Sequence, residues 1–194
     1  MEKINKSALL GALARGEFTE TDNQITFDKL GGIQFKGEYF HRVNGGEWEH
    51  ADNLVVNEGI SHILNVALGG KAKTAKYYLA LFSGSTAPAP TWTAANFAAV
   101  ASEIVSGTEG YTNATRPEWT PVDTNGNSID NMAAAAQLTI ATTGTLTVTG
   151  AALLTNSTKG GTTGTLISAS KYPVARTFQN GDIYEIGYRL SATV

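Results

Sequence analysis

The segment that most constrains the fold is the run Ile183–Val194. Tyr184, Ile186, Tyr188, Leu190, Ala192 and Val194 alternate there with Glu185, Gly187, Arg189, Ser191 and Thr193. A period of two puts each set on one face of a strand, so this segment buries one face and wets the other. Strands half-buried in this way belong to antiparallel sheets. The same logic reads Ile33–Phe40 as a strand, with Ile33, Phe35, Gly37 and Tyr39 against Gln34, Lys36 and Glu38. It also reads Gln137–Thr142 through Leu138 and Ile140, and Thr145–Thr149 through Leu146 and Val148. Gln24–Phe27, Ala151–Leu154 and Thr165–Ser168 are further extended pieces. Lys76–Phe82 is apolar on both faces, which predicts an interior strand. Asn44-Gly45-Gly46 is a turn whose residues tolerate positive φ, and it predicts a hairpin returning through Trp48. Thr142-Thr143-Gly144 is short enough to close its flanking strands into another hairpin. Short strands spaced by glycine-containing turns predict a mainly β fold, an antiparallel β-sandwich or jelly-roll-like domain over residues 31–194.

Helical patterning marks three places. Asn57–Leu68 places Ile60, Ile63, Leu64, Ala67 and Leu68 at i, i+3, i+4, i+7 and i+8, which is one apolar face. Asn57 is its expected cap, Glu58 suits the first turn, and Gly69-Gly70 offers a left-handed stop. On this reading Leu64 lies at the centre of the buried face, and His62 on the opposite, polar side. This is the one helix expected to cover the sandwich, with Thr93–Ala101 as a shorter helical candidate. Near the N-terminus, Ser7 caps a short helix through Leu9, Leu10 and Leu13, with Gly16 beyond its end. At three turns or fewer it needs a second surface to cover its leucines. Residues 1–30 therefore read as an N-terminal arm. Its apolar run is short and followed by Arg15 and Glu17, which fits a secretory leader poorly.

Charge supports that division. Residues 1–53 carry 6 Lys/Arg and 9 Asp/Glu, the whole of the net charge of −3, whereas Met132–Ser170 holds a single charged residue, Lys159. Neither balance makes the basic footprint that nucleic acid or an anionic membrane requires. The chain has no cysteine, so disulfides, thiolate nucleophiles and cysteine-ligated metals are excluded. No apolar run reaches the roughly 18 residues of a membrane-spanning helix.

Motifs that carry chemistry are sparse. His41, His50 and His62 form no metal-binding spacing and read as surface or rim residues. Ser157-Thr158-Lys159-Gly160-Gly161-Thr162 holds lysine and glycines, but not in the phosphate-loop order, and reads as a flexible hairpin loop. Residues 123–130 are rich in side-chain oxygen, yet the glycine and the acid expected of a calcium loop are misplaced, so a turn at Asn125-Gly126 is the simpler reading. Trp48, Trp92 and Trp119 with seven tyrosines leave two readings open, packing and a sugar-binding groove. The acids fall mostly in the arm and in turns, which argues against a glycosidase pair.

Four stretches carry a resemblance. They are Asn53-Leu54-Val55-Val56-Asn57-Glu58-Gly59-Ile60, Tyr77–Phe82, Tyr111-Thr112-Asn113-Ala114-Thr115-Arg116-Pro117-Glu118-Trp119 and Asn156–Leu166. In order and spacing they resemble a family of small structural proteins of tailed bacteriophages, over residues 36–194. The resemblance implies a non-enzymatic virion component without cofactor or metal, either a capsid decoration (cement) protein or a tail or connector part. Its implied partners are the major capsid protein or tail proteins of the same virion, and further copies of itself. A carbohydrate-binding module is the alternative of another class. Pro117 favours an extended Arg116, so Arg116 and Glu118 point one way and Trp119 the other. Trp119 and Leu64 are the expected structural anchors, with Arg116 reaching a carboxylate or backbone carbonyls. Leu9, Leu10, Leu13 and Arg116 are the candidate partner-binding residues.

Overall fold

The computed structural model describes residues 34–193, together with two short strands, β1 (Thr19–Thr21) and β2 (Gln24–Thr26). The helix expected over Ser7–Leu13, with Leu9, Leu10 and Leu13, lies outside the described residues. The chain divides into two compact units: Phe35–Ser191, and a smaller one of residues 1–34 with 192–194. In the smaller unit β1 and β2 pair antiparallel, with Thr19 opposite Thr26.

The larger unit is an antiparallel β-sandwich. Its first sheet has the order β4 (Glu49–Asp52), β3 (Gln34–Val43), β13 (Ile183–Thr193), β10 (Ala136–Ala141), β7 (Gly110–Tyr111), with β9 (Ser128–Asp130) also paired to β13. The second runs β5 (Leu54–Val55), β12 (Leu166–Phe178), β11 (Leu146–Leu154), β6 (Tyr77–Phe82), β8 (Glu118–Trp119). Inward residues of both sheets form one core, including Tyr39, Leu79, Leu81, Leu138, Ile140, Val148, Leu153, Tyr184, Ile186 and Tyr188. Tyr184, Ile186 and Tyr188 of β13 are fully buried as read, but Glu185 and Gly187 on the other face are buried as well, so that face is not open to water there. The turn after β3 has positive φ at Asn44 and Gly45, and returns the chain as β4.

A second apolar layer lies on the other face of the second sheet. Ala80, Phe82, Ala152, Leu154, Leu166 and Ala169 meet Trp92, Ala94, Phe97 and Ala101 there. Among the described residues there are two α-helices, and only the second contributes side chains to this layer. Helix α1 spans Asn57–Ala67 and α2 spans Ala94–Ala101. Thr93 and Asn96 form a reciprocal capping box on α2. Ser102, with φ 54°, ends it in the left-handed region.

Two expectations are corrected here. Thr142-Thr143-Gly144 does not close a hairpin, because β10 and β11 belong to different sheets. The Glu109 carboxylate accepts bonds from the Thr142 hydroxyl at 2.7 Å and the Thr143 amide at 3.0 Å. Those bonds hold the link as a crossover, and β10 finds its partners in β13 and β7. The second correction concerns the face of α1. Gly59 and His62 are its buried residues, whereas Leu64 is 46% exposed and Leu68 84%. The cause is backbone proximity. A Cβ on Gly59 would run into the Ile167 carbonyl of β12, so the glycine side must face the sheet. One oxygen of Glu58 accepts the amides of Ala94 at 2.8 Å and Leu166 at 2.7 Å, which fixes the rotation of the first turn. The cap is also Val56, not Asn57, and neither Gly69 nor Gly70 adopts positive φ.

Candidate functional site

The four sequence stretches singled out above meet at one end of the second sheet. Strand β6 pairs with β8, placing Tyr77 opposite Trp119 and Tyr78 opposite Glu118. The β11–β12 hairpin loop, residues 155–165, is bonded to the irregular segment before β8, since the Arg116 amide donates to the Ser157 carbonyl at 2.8 Å. The Val56 amide donates to the Ile167 carbonyl, which brings the segment before α1 to the start of β12.

Arg116 is the centre of this junction. It is 1% exposed. Its Nε and Nη2 donate to the two oxygens of Glu103, each at 2.7 Å. Nη1 donates to the Asn156 carbonyl at 2.9 Å, and Nη2 also reaches the Gly161 carbonyl at 3.4 Å. Glu103 is placed by the left-handed stop of α2 and by a bridge from Phe82, and it accepts a further bond from the Gly160 amide at 3.0 Å. Both side chains have no exposed surface. Buried charges persist when paired and multiply hydrogen-bonded, and this pair meets both conditions. Removing one partner of such a pair typically costs about 3–5 kcal/mol.

The loop around the pair is held throughout its length, where the sequence suggested a flexible one. The Asn156 carboxamide accepts the Thr158 amide at 2.7 Å and donates to the Thr163 hydroxyl at 2.6 Å. Gly160 and Gly164 adopt positive φ. Lys159 donates to the Tyr111 carbonyl at 2.8 Å and lies 3.6 Å from the centre of the Tyr111 ring. Burial lowers the Lys159 pKa, and burial beside Glu103 raises that of Tyr111. Lysine and glycines here brace a hairpin; they do not form a nest of free amides for phosphate.

Trp119 is 6% exposed, and its indole donates to the Tyr188 carbonyl at 3.0 Å, which ties β8 across the sandwich to β13. Trp119 also borders an open cavity of about 400 Å³ between the sheet ends. Ile63, Tyr77, Ile129 and Leu190 line it, with Lys73, Lys76, Glu118 and Asp123 supplying charge. Glu118 pairs with Lys76 at 2.8 Å. The three tryptophans do not share a groove. Trp92 packs with Phe82 and Phe97 beneath α2, Trp119 sits in the central core, and Trp48 lies under the Arg42 guanidinium.

Two histidines read as rim residues are interior. His62 is 4% exposed, with Nε2 3.1 Å from the Tyr77 hydroxyl and 3.2 Å from that of Thr74. Burial, and then Lys71, lowers its pKa. His41 is 2% exposed and stacks on Tyr172 at 4.3 Å. Burial, helped by Arg176 and His50, lowers its pKa from 6.5 to about 4. Ser61, His62 and Glu58 line one polar recess of about 320 Å³. Glu58 is committed to two backbone amides, and the Ser61 hydroxyl accepts from Asn65. That arrangement anchors the first turns of α1.

In the 123–130 segment, Asp130 pairs with Arg189 at 3.0 Å and accepts the Met132 amide, while the Gly126 amide turns back to Thr124. Among the described residues no group of three or more metal-ligating side chains converges. Nothing local in the sequence distinguishes Glu103. Only the buried arginine would have demanded an acid, and its position 13 residues upstream carries no periodic signal. No protein-family model matches the chain, and no curated protein matches it significantly in sequence.

Proposed function

We propose that the chain is a non-enzymatic structural component of a tailed-phage virion, acting as a decoration protein that bridges capsid subunits. The observation that supports it most is the use made of the residues carrying the resemblance. Arg116, Trp119 and the 156–166 loop spend their polar groups on internal bonds between distant segments. Such bracing stiffens one end of a sandwich, and stiffness serves a protein held in a shell by many weak contacts. The partners on this reading are the major capsid protein and neighbouring copies of the chain.

The test is the number of copies in purified particles, measured by quantitative mass spectrometry against the major capsid protein. Decoration requires on the order of hundreds of copies, set by lattice symmetry. A count of about six, or a small multiple of it, would move the protein to the tail or connector. Absence from particles would overturn the proposal.

A further inference from the structure

Helix α1 turns its leucines to solvent. Leu64 and Leu68 are the only leucines among the large apolar side chains left exposed by the described residues. Four residues apart, they stack on one stripe, with Ile60 one turn before them. Ile63, beside that stripe, lines the cavity of about 400 Å³ at the sheet ends. The loop that follows, Lys71–Lys76, carries three lysines and no acid. Lys76 is engaged by Glu118 at 2.8 Å and Asp123 also lines the cavity, so Lys71 and Lys73, which make no ion pair among the described residues, carry the positive charge at this edge. An apolar stripe that adjoins a cavity and ends on two such lysines is a docking surface.

Its complement is written in the same sequence. Leu9, Leu10 and Leu13 need cover, and they are followed by Glu17, Glu20, Asp22 and Asp28 with no intervening Lys or Arg after Arg15. An apolar run followed by carboxylates matches an apolar stripe followed by lysines. Pairing α1 with α1 of a second copy fits less well. Antiparallel pairing sets each lysine loop against the positive end of the partner helix, whose Glu58 is already engaged, and parallel pairing sets the lysine loops together. We infer that residues 7–22 of one copy dock on the α1 stripe and adjoining cavity of a second copy, the leucines on Leu64 and Leu68 and the carboxylates at Lys71 and Lys73. The contact is head-to-tail and can therefore propagate from copy to copy. It deepens the assembly reading by naming the surface through which copies join, and its test needs no particle.

The absence of cysteine makes disulfide trapping specific. Full-length Leu10→Cys is mixed with full-length Leu68→Cys under mild oxidation. The expected product is the mixed disulfide dimer, exceeding either homodimer by at least about tenfold. Two full-length charge variants give an independent readout by sedimentation velocity. Leu64→Asp/Leu68→Asp places charge on exposed sites, and Leu9→Asp/Leu10→Asp places it on the arm. Each alone should lose self-association, and a mixture of the two should recover a one-to-one pair. A Leu68→Cys homodimer as the main product would show symmetric helix pairing and overturn the inference. So would an intrachain disulfide in dilute Leu10→Cys/Leu68→Cys, or self-association unchanged in either charge variant. Failure here leaves the copy number in particles untouched, and absence from particles leaves solution pairing untouched, so the two readings fail separately.

Discussion

Arg116 and Leu64 occupy each other's expected places. The arginine is 1% exposed and the leucine 46%. At the Arg116 junction a guanidinium is buried because four acceptor contacts surround it, two of them from a carboxylate that is itself buried. On α1 the apolar stripe is outside because backbone demands came first: Gly59 must face the Ile167 carbonyl, and Glu58 must reach two amides. Hydropathy decides burial only where no stronger geometric constraint exists. The junction supplies rigidity, and the helix supplies an uncovered surface.

The contrast breaks most severely at the junction. Arg116→Ala strands Glu103 in the interior and should cost about 3–5 kcal/mol in chemical denaturation. Arg116→Met combined with Glu103→Gln should recover part of that loss, since no buried charge then remains. A cost below about 1 kcal/mol for Arg116→Ala would place the arginine at the surface.

His41 sharpens the same point through pH. Its folded pKa of about 4 lies below its ordinary 6.5, so it stays neutral in the fold while the unfolded chain gains a proton. Between those values the unfolded state binds more protons, and stability falls as pH drops from about 6.5 to about 4, by up to about 3 kcal/mol. His62 acts in the same direction. Glu109, Asp182 and Glu185 are held below the usual carboxylate range by hydrogen bonds, so their losses come at the acid end of the scale. The slope of melting temperature between pH 6.5 and 5 therefore belongs to the histidines, and His41→Phe should flatten most of it.

Gly59→Ala tests what orients α1. A methyl against the Ile167 carbonyl should cost about 1–3 kcal/mol in denaturant, whereas Gly70→Ala, with open space around it, should stay within about 0.5 kcal/mol. Equal costs would remove the stated reason for the helix rotation. Leu64→Ala should also cost little, under about 1 kcal/mol, well below the ~2–5 kcal/mol of a core leucine.

Strand alternation was legible because its period is local. The β13 pattern of Tyr184, Ile186 and Tyr188 needs no knowledge of the partner strand. Sheet membership was not legible: β10 and β11 look like a hairpin until Glu109, more than 30 residues upstream, is seen to hold the link. Of the site, the pull of Arg116 toward a carboxylate and carbonyls follows from its donors and from Pro117, but the identity of that carboxylate does not. Periodicity assigns the wrong face to α1 because it weighs side chains, while the decisive contact there is the absence of one at Gly59. The burial of His41 and His62 is invisible in sequence because their covering rings, Tyr172 and Tyr77, are distant in sequence or carried by another element.

The inversion of α1 can be measured directly by thiol accessibility, since the chain supplies no background cysteine. His62→Cys and Leu64→Cys are made in the full-length protein and labelled with a thiol reagent in dilute native solution. Leu64→Cys should react at nearly the rate of the unfolded chain, and His62→Cys only after denaturant is added. Rapid labelling at position 62 with protection at position 64 would contradict the account.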